Sequence, residues 1–295
     1  MQMNFSEGLE KALLDKDLPV VTFYDLYVLG HRLFQSKTWQ GEPLKRMPQA
    51  WDQQRAKSAA GRLEARRAIV EDADFSSNVW RVTQATRAGS AEEVVCIADP
   101  FAYVSHLSAM QKYGFTDRSP QALHITTPKR DIWNTFRKAR AEQDLPDERS
   151  LDRAVLHRPG FRDTIRRRPV VVHVSSHPWV PSKVSGEETR ITSVGQTFAD
   201  MLLEPRLCGG MRHVLDVWEN EAGDWIDEII ATIEKTGSKI AKVRAGYIIS
   251  DILNIDHPVA QKWEEFAQRG GSRRLDPDAE YSAEFSERWM LSINV

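Results

Sequence analysis

The sequence predicts an α+β fold, with a small N-terminal domain of three helices and a β-hairpin ahead of a larger, mixed α/β domain. Two observations lead to this prediction. The first part of the chain alternates amphipathic helical segments with short β-prone runs, whereas from Ser193 onward the pattern is mostly helical. Within the first part of the chain, Thr83–Glu93 contains Gly89 and Ser90 and has the composition of a linker. We therefore predict domains at 1–90 and 91–295.

The first two helices are predicted from apolar spacing and from residues that favour helix ends. Glu7–Asp15 places its leucines on one face, and the proline of Leu18-Pro19 cannot continue a helix. Val20-Val21 is a short extended segment, and Thr22 is a typical N-cap residue. The second helix is predicted to run from Thr22 to about Gln35.

The third helix is the most informative segment. It is predicted from Pro48, because proline is favoured in a first turn, to about Arg66. At helical spacing its alanines and Leu63 form one buried face. The adjacent face carries a polar ridge that consists of Arg55, Ser58, Arg62 and Arg66.

A β-hairpin is predicted directly after this helix. Ala68–Val70 and Val79–Thr83 are β-prone runs on either side of a polar, turn-rich segment. Helix, helix, long basic helix and hairpin is the order of a winged helix-turn-helix domain. In that geometry a helix enters the major groove and the wing reaches neighbouring phosphates. A basic ridge on an isolated helix is often only a solvated face, but its place in this order favours DNA binding.

The charge distribution points the same way, although the total does not. The chain has 40 basic and 42 acidic side chains, a balance that alone gives no sign of a nucleic-acid partner. Lys45–Arg67, however, contains seven basic against two acidic side chains. Arginines on the third helix suit guanine edges and phosphates, while the others suit phosphates. The predicted DNA-binding residues are Lys45, Arg46, Arg55, Lys57, Ser58, Arg62, Arg66, Arg67 and Arg81.

A second basic cluster lies in the larger domain. Arg158–Arg168 contains five arginines and one acidic residue, Asp163. Two interpretations stay open, a solvated loop that leads into a strand, or a contact to phosphate or to an acidic partner. The candidate contact residues are Arg158, Arg162, Arg166, Arg167 and Arg168.

The larger domain is predicted to mix short strands with helices and to end in a helical region. Asp99 and Pro100 favour a helix start and Gly114 a helix end, which gives a helix over Pro100–Tyr113. The predicted strands are Val94–Ala98, Ala122–Thr127, Val170–Ser175, Thr189–Thr192 and a closing strand over Trp289–Val295. The other predicted helices are Asp131–Glu142, Ser193–Leu203, Gly210–Ala222, Asp224–Thr236, Ser238–Asn254 and Pro258–Arg269, and Gln143–Asp152 is predicted as a polar loop.

Catalytic motifs are not found in the sequence. It has no phosphate-binding loop, no nucleophile elbow and no His/Cys set at zinc spacing, so we expect neither an enzyme nor a cofactor or metal. Gly271-Ser272 followed by Asp276 and Asp278 superficially resembles the metal-binding elements of nucleotidyltransferases. Pro277 splits the two acids and no strand fits before them, so this segment is predicted as a loop.

The compartment is predicted from what the sequence contains at its start and from its cysteines. The first twenty residues carry several charges and therefore do not form a signal peptide, and no apolar run is long enough for a membrane span. Cys96 and Cys208 stand apart, without the spacing of a zinc ribbon or disulfide scaffold. We expect a cytoplasmic protein.

Two segments of the larger domain resemble the AbiEi family. One is Asp99–Arg118, DPFAYVSHLSAMQKYGFTDR, followed by Leu123–Pro128. The other is Thr192–Gly210, TSVGQTFADMLLEPRLCGG. The resemblance extends from about Ile97 to the C-terminus, and its motifs are structural rather than catalytic. The predicted N-terminal domain differs from the shortest family versions by an insert over Ser36–Met47.

This resemblance implies a specific function. AbiEi proteins are antitoxins and transcriptional regulators of type IV toxin–antitoxin operons in abortive infection, a form of phage defence. The winged helix would bind inverted repeats at its own promoter, and the larger domain would supply antitoxicity. The toxin of such a pair is a separate nucleotidyltransferase-like protein. The antitoxin opposes its effect without forming a stable complex with it. Two alternatives remain, a regulator whose C-terminal domain senses a ligand or partner protein, and a nucleotide-processing enzyme.

Overall fold

The structure is a computed structural model that describes residues 3–146, 156–268 and 273–295. It has the mixed α+β composition that the sequence predicts, with helices and several small sheets. The chain folds into two compact units, each made of discontinuous segments. The first unit comprises Met1–Tyr103, Thr126–Pro178 and Lys183–Arg190, and the second comprises Val104–Ile125, Trp179–Ser182 and Ile191–Val295. The division at residue 90 stays a prediction.

Residues 3–82 contain three helices and a three-stranded antiparallel sheet. The sheet has the order β1-β5-β4, with Val21 opposite Trp80 and Val70 opposite Arg81. The elements are α1 (Phe5–Leu14), β1 (Val20–Thr22), α2 (Phe23–Ser36), β2 (Thr38–Trp39), β3 (Glu42–Pro43), α3 (Gln53–Ala65), β4 (Ile69–Glu71) and β5 (Val79–Val82). The three predicted helices and the predicted hairpin of this region are confirmed.

Side-chain caps set where these helices begin. Asn4 and Thr22 each form a capping box, with Glu7 and Asp25 respectively, so two backbone N–H groups are satisfied at each helix start. α3 begins later than predicted. The Asp52 side chain accepts a hydrogen bond from the Arg55 backbone N–H at 2.8 Å, and Pro48 therefore lies before the helix.

The segment between α2 and α3 is packed onto α2 by Trp51. The Trp51 Nε1 donates to the Tyr27 carbonyl oxygen at 2.9 Å, and the ring lies 5.2 Å from that of Phe5. Gly30 on α2 makes this approach possible, because a Cβ at that position would lie 2.0 Å from the Trp51 ring. The predicted insert over 36–47 forms the short hairpin β2–β3, and its Leu44 is buried.

Residues 91–175 contain two corrections to the sequence predictions. The predicted strand over Val94–Ala98 is instead the C-terminal part of a helix. The Ser90 hydroxyl caps this helix by accepting a hydrogen bond from the Glu93 N–H at 3.1 Å. The predicted helix over Pro100–Tyr113 begins only at His106. The elements are α4 (Ala91–Ala98), β6 (Tyr103–Val104), α5 (His106–Tyr113), β7 (Leu123–Pro128), α6 (Arg130–Asp144), β8 (Thr164–Ile165) and β9 (Arg168–Ser175).

Asp99 explains the later start of α5. Its carboxylate is buried and accepts hydrogen bonds from the Trp133 Nε1 at 3.0 Å and from the Thr127 Oγ1 at 2.8 Å. It also accepts from the Phe101 N–H at 3.0 Å. The carboxylate therefore joins α6 and β7 to a turn rather than capping a helix.

The remainder of the chain is mostly helical, as predicted. The elements are β10 (Ser182–Lys183), β11 (Arg190–Ile191), α7 (Val194–Leu203), α8 (Met211–Lys235), α9 (Lys239–Tyr247), α10 (Pro258–Lys262), β12 (Phe285–Ser286) and β13 (Leu291–Ser292). Two helices predicted on either side of Gly223 are one continuous α8, since a single glycine costs a helix only about 1 kcal/mol. The closing strand shrinks to Leu291–Ser292. Gly271 and Ser272 of the predicted loop lie outside the described residues, as does part of Gln143–Asp152.

The core of the second unit is formed where α7 packs on α8, around Phe198 and Trp218, whose rings are 5.1 Å apart. One carboxyl group is buried at its edge. Asp200 on α7 accepts a hydrogen bond from the Trp179 Nε1 at 2.9 Å. Burial raises the pKa of Asp200 to about 7, an effect that the hydrogen bond reduces and nearby Glu204 reinforces. Among the described residues no helix is long and apolar enough to cross a membrane.

Candidate nucleic-acid interface

The face of α3 that points away from the core carries uncharged and mostly small side chains. Its buried face consists of Ala56, Ala59, Ala60 and Leu63. On the opposite side, four exposed residues share one stripe at helical spacing: Gln54, Ser58, Gly61 and Ala65. A Cβ at Gly61 would meet no heavy atom within 4 Å. This outer stripe therefore allows another macromolecule to approach the helix backbone closely.

Basic side chains lie on either side of the outer stripe. Arg55 and Arg62 are two turns apart on one side, and Lys57 lies on the other. All three are exposed. Within residues 3–146, 156–268 and 273–295, the Arg55 and Lys57 side chains make no hydrogen bond or ion pair, and the Arg62 Nη1 makes one long contact of 3.4 Å to the Ser6 Oγ. Their charges are therefore available to an anionic partner.

Arg66 and Arg67 differ from these three. The Arg66 Nη1 lies 3.1 Å from the Glu10 Oε2 on α1, so its charge already has a counter-ion. Arg67 is exposed just after α3, in a left-handed conformation with φ of 58°, and its carbonyl oxygen accepts from the Thr83 Oγ1. Of these two arginines, only Arg67 presents an uncompensated charge among the described residues.

Lys45 and Arg46 are exposed on a segment fixed to the start of α1. The Lys45 backbone N–H donates to the Met3 carbonyl, and the Lys45 carbonyl accepts from the Phe5 N–H, both at 2.9 Å. These two bonds hold the backbone from which both side chains project. The insert therefore adds positive charge at a defined place in the first unit.

The hairpin β4–β5 does not present its turn as a basic surface. Arg81 on β5 donates to the buried carboxylate of Asp72 at 3.1 Å. Arg166 contacts the same carboxylate at 2.9 Å and also pairs with Asp74. Burial raises the pKa of Asp72, but the hydrogen bonds from Arg166 and Arg81 outweigh it, so this pKa lies below its usual value. A contact between Arg81 and a phosphate would have to compete with the ion pair between Arg81 and Asp72.

The second basic cluster is packed against this turn, and its arginines divide into paired and exposed side chains. The Ser76 N–H donates to the Gly160 carbonyl, and the Arg162 N–H donates to the Asp74 carbonyl. The Phe75 and Phe161 rings are 6.0 Å apart. Arg166 binds the two aspartates and Arg168 pairs with Glu92, so these two arginines are internal ion-pair partners rather than free contacts. Arg162 and Arg167 are exposed and Arg158 is half-buried.

Replacing Arg166 by alanine is expected to destabilise the protein by about 2–4 kcal/mol, because Arg81 is then the one cation among the described residues that pairs with the buried Asp72 carboxylate. Urea unfolding measures the loss of unfolding free energy. Hydrogen exchange of the backbone amides of Val79–Val82 tests whether the hairpin is the part that loses stability. Arg167→Ala is the matched control, since that neighbouring side chain is exposed, and we expect a change within about 0.5 kcal/mol. Equal effects of the two substitutions would contradict a supporting role for Arg166.

Two residues of α3 that bear on the candidate interface were not predicted from the sequence. Gln54 belongs to the outer stripe, and its carboxamide has the geometry that pairs with adenine; its spacing of four from Ser58 was the available signal. Glu64 on α3 accepts a hydrogen bond from the Trp80 Nε1 at 2.8 Å and so fixes α3 to the hairpin. No sequence signal indicated that long-range bond.

No group of three or more His, Cys, Asp or Glu side chains is placed to hold a metal ion within the described ranges. Ser105, His106 and Glu204 come together in the second unit, with Ser105 Oγ at 2.8 Å from His106 Nδ1 and His106 Nε2 at 3.7 Å from Glu204. Ser105 is only 1% exposed, so no substrate reaches its hydroxyl group.

Comparisons with known proteins find little. No family model matches the chain, and the search of curated proteins found no match. One solved structure that it resembles is the RV2827C protein from Mycobacterium tuberculosis, at 14% sequence identity and a TM-score of 0.49, over 97% of this chain and 90% of that chain. A likeness at this level establishes no shared activity.

Proposed function

We propose that the protein is a DNA-binding transcriptional regulator, in which residues 1–90 act as a winged helix-turn-helix domain. The proposal depends on one observation, the outer stripe of α3 with unpaired cations on both sides. Small residues let the helix approach base edges, with Gln54 and Ser58 as the polar groups that reach them. The flanking cations Arg55, Lys57 and Arg62 would meet phosphates and fix the register.

The other basic residues have different roles in this proposal. Lys45, Arg46 and Arg67 would add phosphate contacts beside α3. The hairpin would be the wing, but its aspartates are bound by Arg81 and Arg166, so its turn would contribute few phosphate contacts. Arg66 would reach DNA only by leaving Glu10. We therefore place most of the binding energy on α3 and the segment before it.

We further propose that the protein is a type IV antitoxin, on the strength of the AbiEi resemblance between Ile97 and the C-terminus. It would repress its own operon by binding inverted repeats and would counteract a separate nucleotidyltransferase-like toxin without a stable complex. The assignment implies a cytoplasmic protein without cofactor or metal. The buried packing of the motif Thr192–Gly210 supports a structural role for it, since six consecutive residues on α7, from 197 to 202, are buried.

The test of the proposed function is footprinting of the full chain on the DNA upstream of its own gene. We expect protection of an inverted repeat and an affinity that falls with salt, by a slope of roughly −0.9 for each phosphate contacted. Co-expression with the neighbouring gene tests antitoxicity separately. Equal affinity for the upstream DNA and for unrelated DNA would contradict specific regulation, and toxicity that persists on co-expression would contradict the antitoxin assignment.

A cavity favours one alternative, a regulator that responds to a small ligand. It has a volume of about 370 Å³ in the first unit and lies against α2, lined by apolar residues such as Val28 and Ile97. Its polar groups include Tyr24, whose hydroxyl donates to Asp144 at 3.0 Å, and Arg140. Pockets that combine an apolar wall with a few polar groups are typical of small-molecule sites. An adjacent metabolic operon would favour this alternative, and an adjacent nucleotidyltransferase gene the antitoxin.

A further inference from the structure

A small cavity in the second unit is lined by three arginine side chains. Its volume is about 150 Å³. The residues that line it are Ile240, Arg244, Arg273, Arg274 and Pro277. Arg244 lies on α9, and the segment that carries the other two arginines is fixed to β13, since the Ser292 N–H donates to the Arg273 carbonyl at 3.0 Å. The cavity therefore brings together three positive charges from two segments of the chain.

Arg244 is buried, yet its charge has no carboxylate partner. Only 5% of the residue is exposed. Its Nη1 donates to the Leu202 carbonyl at 2.7 Å, and its Nε and Nη2 donate to the Arg274 carbonyl at 3.1 and 3.0 Å. Over the part of the chain that the structure describes, no carboxylate oxygen lies within ion-pair distance of Arg244 or of the other two arginines. Buried charges are normally paired, so the surroundings of Arg244 favour the approach of an anion.

The charges around Arg244 do not remove this imbalance. Burial lowers the pKa of Arg244 to about 10. Asp276 and Asp278 act in the opposite direction, and Arg274 adds to the lowering. The Asp276 carboxylate accepts a hydrogen bond from the Asp278 N–H at 2.9 Å, so it closes a turn rather than pairing with a guanidinium group. Three arginines around one cavity also repel each other, and an anion bound between them would offset both the burial and the repulsion.

The three guanidinium groups also retain hydrogen-bond donors. A guanidinium group has five N–H donors in a fixed geometry. Arg273 uses one of them, from Nη1 to the Phe266 carbonyl. Arg274 also uses one, from Nη1 to the Ala279 carbonyl at 2.6 Å. Arg244 uses three, so two of its donors and four on each of the other arginines have no acceptor among the described residues. The cavity can therefore offer several donors to the oxygens of an anion.

We propose that this cavity binds a phosphate group in its dianionic form, either free phosphate or the terminal group of a phosphate monoester. Arginine binds phosphate through pairs of N–H groups, and such charge-assisted hydrogen bonds are about twice as strong as neutral ones. A cavity of about 150 Å³ is smaller than the roughly 300–1,000 Å³ of pockets that enclose a whole organic ligand. It therefore has room for the phosphate group, and the rest of a monoester would lie outside.

Calorimetric titration of the full chain without DNA, at about pH 8, tests the class of ligand. The probes are inorganic phosphate, methyl phosphate and dimethyl phosphate. At this pH the first two are mostly dianionic, whereas the diester carries one charge. We expect one site for each of the first two. Dimethyl phosphate should bind about 10-fold more weakly or worse, since it lacks one charge and one acceptor oxygen.

The order of the affinities distinguishes the two sources of the phosphate group. Tighter binding of inorganic phosphate than of methyl phosphate would identify free phosphate as the ligand. Equal or tighter binding of methyl phosphate would identify a monoester. If neither of these two probes binds, or if dimethyl phosphate binds as tightly as they do, the proposal is overturned.

Alanine variants test whether the arginines form the site. We expect Arg273→Ala to weaken phosphate binding by roughly 10–100-fold, because charge-assisted hydrogen bonds are lost. Arg212→Ala is the matched control. Arg212 is an exposed arginine on α8 with no carboxylate partner among the described residues, and its variant should bind phosphate like wild type. Equal affinity of the two variants would overturn the assignment to this cavity.

A second measurement uses the unaltered protein and does not depend on the folding of a variant. Phosphate should shift the NMR signal of the Arg244 Nε–H group. The matched control is Arg190 in the first unit, whose Nε likewise donates to a backbone carbonyl, that of Ala102 at 3.0 Å, and whose signal should not move. An unshifted Arg244 signal, or equal shifts of both signals, would overturn the proposal. No DNA is present in these measurements, so their failure is distinct from failure of the proposed function.

Discussion

Replacing Arg55, Lys57 and Arg62 together by alanine is expected to weaken binding to the upstream DNA by roughly 10²–10³-fold at 0.1 M salt. The physical reason is counterion release. If each cation neutralises one phosphate, its contribution at this salt concentration is a factor of about 8, and three such contacts multiply to about 500. Because all three side chains are exposed on α3, the fold should not change, and circular dichroism checks this.

The matched control has the same change in charge at another place. Arg212, Lys235 and Lys239 are exposed in the second unit, and their triple alanine variant should bind DNA like wild type. Affinities measured over a range of salt concentrations make the comparison sharper. The α3 variant should lose about 2.7 from the salt slope, whereas the control should lose nothing. Two triple variants of equal affinity would show that only total charge matters and would remove α3 from the interface.

Replacing Asp200 by asparagine is expected to stabilise the protein above pH 7 by up to about 4 kcal/mol. In the folded chain burial raises the pKa of Asp200 to about 7, from 3.8. Below pH 4 the carboxyl is protonated in both states. As the pH rises, the unfolded chain ionises first, so the wild type loses stability until the folded carboxyl also ionises near pH 7. Asparagine has no proton to lose, and its oxygen can still accept from Trp179.

Unfolding by urea at several pH values tests this prediction. The difference in unfolding free energy between wild type and Asp200→Asn should grow between pH 4 and 7 and then become constant. Asp224→Asn, on the exposed surface of α8, is the matched control and should follow wild type. If the difference between wild type and Asp200→Asn is the same at pH 5 and pH 8, Asp200 is ionised at both and the raised pKa is wrong.

The parts of the fold that could be predicted are those with local signals. Thr22 has a hydroxyl that caps the next turn, and the alanines of α3 repeat at helical spacing, so both helices were predicted from a few adjacent residues. Val94–Ala98 has no such signal, because a short apolar run fits a buried strand and a buried helix equally well. Asp99 was misleading for a similar reason. Its bonds to Thr127 and Trp133 are decided by residues about thirty positions away.

The residues of the candidate site likewise divide into those whose roles the sequence could predict and those whose roles depend on distant parts of the chain. Exposed Arg55 and Lys57 follow from helical spacing alone, and the structure gives them no partner within the described residues. Spacing cannot show that Arg66 meets Glu10, or that Arg166 and Arg168 meet Asp72 and Glu92, since these pairs are distant in sequence. Charge runs therefore locate basic segments, but only the folded chain shows which charges are already neutralised.

The bond between Arg166 and Asp72 also sets an order of events during synthesis. The two residues are 94 positions apart, and a ribosome that adds about 5–20 residues per second needs roughly 5–20 s to travel between them. During that time the Asp72 carboxylate can pair with Arg81 but not yet with Arg166. The hairpin would therefore complete its ion pairs only after residue 166 had been made, so a chain that ended before that point would differ from the finished protein in the hairpin itself.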